Sequence, residues 1–198
     1  MKRILIAIPF LLLCLSSCED KTSERGADPV VDRGSEEVAL KLERLAAYDS
    51  NRQELNLEEQ PSLDAVDARL KTLFSMIDKQ DLSGLPALVD PEEGVHVDLK
   101  AHRTVDELKK DLADPRGYFE KFYLDSDLLR KSTGDESQIS LHELLNKNSR
   151  VFAEYYLEPG GTQVEVRLRL GSTPDESYRI NNAVLIKRDG QWFFLQLL

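Results

Sequence analysis

Three histidines, several paired carboxylates and one run of aromatic residues are the side chains here with chemistry to offer. His96 and His102 flank a short strand and a loop, and His142 precedes Glu143 within a helix cap. None of the three has the i, i+4 helical spacing of a His–Glu–x–x–His metal site, so each reads as structural or solvated. Glu92-Glu93 and Asp125-x-Asp127 could hold a cation weakly, but they lack the ordered ligand positions and terminal Glu of a calcium loop. No serine sits in a nucleophile elbow, and no glycine-rich loop is present to cradle phosphate. The sequence therefore assigns no catalytic residue, no metal ligand and no cofactor. Tyr118, Phe119, Phe122 and Tyr123 are spaced by three and four, which places them on one helical face. Such a stripe is either core or the wall of a ligand pocket or docking face.

The N-terminus carries the strongest signal. Lys2 and Arg3 are followed by an apolar run from Ile4 to Leu15, the layout of a secretory signal peptide. Next comes Leu15-Ser16-Ser17-Cys18. An apolar branched residue three before a cysteine, with small residues between, resembles the bacterial lipobox. That resemblance implies a diacylglyceryl thioether at Cys18, cleavage before it, and a membrane partner reached through covalent lipid. Ser16 and Ser17 are small enough to let a peptidase approach the bond. Cys14 is a poorer candidate, because bulky Leu12 and Leu13 precede it. The protein is expected to be exported and anchored on the periplasmic face or cell surface. With Cys14 removed and Cys18 capped, no thiol remains for catalysis or metal binding. The apolar run is shorter than the roughly 20 residues needed to span a bilayer.

The formal net charge of −10 disfavours nucleic acid as a partner, since phosphate binding needs a basic surface. A small apolar ligand or another protein remains the expected partner of the folded part.

Behind the signal peptide (residues 1–17), residues 18–34 are polar and aperiodic and read as a flexible tether. Residues 35–48 read as a helix capped by Ser35, with Val38, Leu42 and Leu45 on one face, and residues 49–60 as a connector. The domain proper is expected over 61–198. Pro61-Ser62 opens a helix with Leu63, Val66, Leu70, Leu73, Phe74 and Ile77 on one face and Asp64, Asp67, Lys71 and Asp78 opposite. A short helix over 81–89, a turn over 90–94 and a strand over 95–99 follow. Thr104-Val105-Asp106-Glu107 is a capping box for a helix to about Leu112, and Ser140-Leu141-His142-Glu143 opens another. A helical, aromatic insertion spans roughly 115–148. From Arg150 the period becomes two, giving four antiparallel strands, with Asp189-Gly190 as a hairpin turn and a last strand, 192–198, that is apolar on both faces except at Gln196.

The expected class is therefore α+β, with N-terminal helices packed on a curved antiparallel sheet that ends in a four-strand meander. That order, with Asp81-Leu82-Ser83-Gly84-Leu85 and Lys187-Arg188-Asp189-Gly190-Gln191-Trp192-Phe193, resembles the nuclear transport factor 2, SnoaL-like and ketosteroid isomerase superfamily. The resemblance implies a cone with an apolar pocket. It leaves three functions in play: a non-catalytic binding or interaction module at the cell envelope, a cone-fold enzyme acting on a small apolar substrate, or a structural envelope protein or surface antigen.

Overall fold

The computed structural model describes residues 40–60, 62–98 and 101–198, all within one compact unit. Cys18, the signal peptide, the tether and the start of the expected first helix lie outside the described residues. Among the described residues nine strands form one sheet: β1 (Lys41–Tyr48), β2 (Glu54–Leu55), β3 (Val95–His96), β4 (His102–Arg103), β5 (Arg150–Leu157), β6 (Gln163–Gly171), β7 (Tyr178–Arg179), β8 (Ala183–Arg188) and β9 (Gln191–Gln196). Four α-helices accompany it: α1 (Ser62–Asp78), α2 (Val105–Leu112), α3 (Ser126–Thr133) and α4 (Leu141–Asn146). The class is α+β, as the change of period implied.

The meander is β5-β6-β8-β9, antiparallel throughout. Alternation sets it: Val164, Val166, Leu168 and Leu170 are buried, while Gln163, Glu165, Arg167 and Arg169 lie on the other face and are less enclosed. The β8–β9 hairpin turns on Asp189 and Gly190, both at positive φ (47° and 81°), as a two-residue turn matched to strand twist requires. The third strand expected at this point is broken into β7 and β8, which pair with different stretches of β6. β9 has neighbours on both edges: β8 on one side, β3 and a bridge to Val89 on the other. Trp192, Phe194, Leu197 and Leu198 are buried.

Two pairings are parallel, so the sheet is mixed: β1 with β5, and β3 with β9. β1 overturns the helix expected over 35–48 wherever that stretch is described. Leu42 and Leu45 fit a helical face, but Ala47 and Arg44 reach the core side by lying beside Tyr155 and Ala153 of β5. Seven cross-strand residue pairs outweigh the modest helix propensity of a segment this short. The expected helix over 81–89 reduces to one 3₁₀ turn, Leu85–Ala87.

α1 has the apolar face its spacing implies: Leu63, Val66, Leu70, Leu73, Phe74 and Ile77 are all buried in one continuous core with Val151, Val166, Leu185 and Phe194. Where the resemblance implies an apolar pocket, these side chains pack together.

Candidate functional site

The aromatic stripe is set up by the way α2 stops. Its Thr104–Glu107 capping box fixes the start, and a turn at Asp114 ends it, with Gly117 N–H donating to Asp114 O at 2.9 Å. The chain re-enters a helix that carries a π turn, Glu120–Leu124, closed by Asp125 N–H donating to Glu120 O at 2.7 Å. Extra backbone of this kind re-aims side chains. The four aromatics divide into two i, i+4 pairs. Phe119 and Tyr123 (1% and 2% exposed; rings 5.0 Å apart) point into the core. Tyr118 and Phe122 (rings 4.7 Å apart) stay at the surface, with Phe122 41% exposed.

Both tyrosine hydroxyls are satisfied: Tyr123 donates to Leu198 O and Tyr118 to Val97 O, each at 2.9 Å. Burial raises the phenol pKa of each, much further for Tyr123. Around Tyr118 and Phe122 an open groove of about 260 Å³ is lined by Ile139, Leu141, Leu144, Ile180 and Leu198. It shares Ile180 and Asn181 with a larger cleft of about 600 Å³ that reaches Asp98, Asn182 and Gln196.

A second depression, of about 430 Å³, lies between α3, α4 and the end of α1, and it gathers His142, Glu143, Asp127, Arg130 and Lys147. Its two cations are paired within it, though Glu120, Asp125, Asp127 and Glu143 leave the lining acidic as a whole. Arg130 meets Asp127 at 2.6 Å and Glu143 at 3.6 Å, and Lys147 meets Glu143 at 2.7 Å. Hydrogen bonds from Lys147 and then Ser126 pull the Glu143 pKa down to about 2. The His142 ring lies beside the Gln80 and Asn146 amides, at 3.1 and 3.0 Å, and has neither a nucleophile nor a carboxylate as its hydrogen-bond partner.

Both candidate cation spacings are occupied by the protein's own groups. Asp90 accepts from Glu92 N–H and Glu93 N–H and from Arg188 Nε at 2.5 Å, and the same guanidinium reaches Glu92 and Glu93. Asp125 caps α3 by accepting from Leu128 N–H, while Asp127 pairs with Arg130. Among the described residues no group of three or more His, Cys, Asp or Glu is placed to hold a metal ion.

One buried polar cluster escaped sequence reasoning. Asp67, expected on the solvent face of α1, is 7% exposed. Its carboxylate accepts from Tyr155 Oη and from Arg44 Nε at 2.7 Å, and Arg44 also reaches Asp64 at 2.7 Å. Burial, then the Asp67 charge, raises the Tyr155 pKa far above that of a free phenol. A carboxylate with both oxygens engaged is a poor proton acceptor, and none of the depressions described above reaches it. It ties β1 and β5 to α1. The available signal was position 67 itself, one heptad before Phe74 and hence inside the buried stripe.

No known protein family matches this sequence. No curated protein matches it either. Among solved structures, a chain whose title begins Rd1NTF2, followed by five substitutions, is similar over 68% of this chain and 96% of its own, at 14% identity and a TM-score of 0.36. The fold assignment accordingly rests on the strand order and helix placement described above.

Proposed function

We propose that the protein is a lipid-anchored component of a bacterial cell envelope, and that its domain is a non-catalytic binding module. The anchor rests on Leu15-Ser16-Ser17-Cys18 and the basic–apolar segment before it. The binding reading is carried by the groove at Tyr118 and Phe122, where two aromatic rings in contact, tilted by 31°, stand at the surface among aliphatic side chains. An open groove of about 260 Å³ suits one or two apolar side chains of a protein partner better than an enclosed small molecule, which needs about 300–1,000 Å³. The enzyme reading would need a proton acceptor facing a cavity. Asp67, the most buried carboxylate beside a tyrosine, is instead committed to Arg44 and Tyr155.

Two measurements test this. Cys18→Ala should abolish labelling by a fatty-acid probe and detergent-phase partitioning; label retained by that variant would sink the anchor. A thermal-shift screen of short peptides carrying apolar side chains should give hits that Phe122→Ala loses, with little change in its own melting temperature. Turnover of a compound that disappears with one histidine would replace the module with the enzyme.

A further inference from the structure

We propose that His96 and His102 form a two-imidazole site for a borderline-soft divalent transition-metal ion, such as Cu²⁺ or Zn²⁺. Six residues apart in sequence, they are direct partners across the β3–β4 ladder. The adjacent pair is hydrogen-bonded, Val97 N–H donating to Ala101 O at 2.9 Å. Alternation along an antiparallel ladder makes 96/102 the non-hydrogen-bonded pair, the type whose side chains stand closest. The ring centres are 4.9 Å apart, at 65°. With metal–nitrogen bonds of about 2.0–2.1 Å, two imidazoles on one ion have centres roughly 4.5 Å apart for a square cis arrangement and about 5.2 Å for a tetrahedral one. The observed separation falls between the two.

A second observation fixes which atom would ligate. His102 Nε2 lies 2.5 Å from the carbonyl oxygen of Glu93. A carbonyl only accepts, so Nε2 carries the proton and Nδ1 keeps its lone pair. A metal-binding histidine that donates its other ring N–H to a backbone carbonyl is the usual supporting arrangement. Both histidines are exposed, and no side-chain hydrogen bond occupies the His96 ring among the described residues. The turn that delivers the Glu93 carbonyl is itself braced by Asp90 and Arg188. With no third protein ligand gathered there, water completes the coordination. The order of divalent affinities places Cu²⁺ above Zn²⁺.

The test is titration of the purified full chain, its thiols alkylated, with Cu²⁺ and with Zn²⁺. Cu²⁺ electron paramagnetic resonance of the unmodified sequence should show two equivalent-type nitrogen couplings at one bound ion per chain. His96→Gln and His102→Gln should each weaken binding by about tenfold or more, because chelation is lost, whereas His142→Gln should leave it unchanged. A single nitrogen coupling, equal affinity in the two single variants and the parent, or loss with His142→Gln would overturn the site. The spectrum of the parent protein decides the matter even if a variant fails to fold.

Discussion

β5, β6, β8 and β9 are held by continuous register: eight residue pairs join β5 to β6, and almost every second side chain enters the core. The stretch between α2 and β5 is held at points. Phe119 and Tyr123 anchor its first turn, Leu129 and Leu145 its later helices, and Ser126 and Ser140 fasten the start of α3 to that of α4 by a buried hydroxyl contact of 3.0 Å. Between those points its charges pair locally at the surface. The difference teaches where tolerance lies. A residue in the meander is constrained by neighbours on two strands, whereas one in the insertion is constrained only if it is an anchor. Most of the groove belongs to the second kind of region, with Ile180 and the buried Leu198 contributed from outside it.

That contrast is breakable. The largest effect should come from deleting residues 194–198, which removes Phe194, Leu197 and Leu198 from the core and the Leu198 oxygen from Tyr123. Each large buried side chain is worth about 1.5–3 kcal/mol against a total stability of about 5–15, so cooperative unfolding in denaturant should vanish. A sharp transition close to that of the intact protein would show that β9 is peripheral.

Within the insertion, the two halves of the aromatic stripe should separate. Tyr123→Ala should cost about 3–5 kcal/mol by chemical denaturation, as expected for a buried ring. Phe122→Ala should cost no more than about 1 kcal/mol, as at a surface position. Equal losses would mean that the groove is part of the core.

The smallest effect concerns pH. Burial opposes ionisation of Asp90, but the Glu93 N–H, the Arg188 guanidinium and the Glu92 N–H outweigh it and hold the carboxyl below the ordinary range. A folded pKa beneath the unfolded one gives stability that is complete above about pH 4 and is lost as pH falls through the folded value. Asp90→Asn should therefore flatten the acid limb of the stability–pH curve while lowering stability at neutral pH. An acid limb identical to that of the parent would assign acid sensitivity to other carboxylates.

How far the sequence could be read depended on the range of the interactions involved. Period-two alternation over 150–170, the Asp189-Gly190 turn and both helix-capping serine or threonine positions are local, and the structure has them. β1 was not legible, because Leu42 and Leu45 suit a helix and only β5, about a hundred residues later, selects the extended form. The Arg44–Asp67–Tyr155 cluster depends on that same pairing. The stripe over 118–123 was legible as one helical face, but not its division into core and rim, which depends on how the segment docks against the rest of the fold. The His96–His102 pair has no spacing signature, since cross-strand register and not helical repeat brings it together. The groove joins Ile139, Leu141 and Leu144, from α4 and the residues just before it, to Ile180 some forty residues on, and no local pattern links the two stretches.

The parallel pairing of β1 with β5 also has a mechanical consequence. A load entering from the N-terminal side reaches the domain at Lys41, directed along β1. Backbone bonds from Lys41 to Tyr48 then share the load in shear and do not open one after another from an end. Arg44, clamped to Asp64 and Asp67 of α1, adds a lateral bolt near the point of entry. A domain tugged through its leading strand in this way would resist extraction while the opposite edge of the sheet, with β3, β4 and the exposed histidines, remained undeformed.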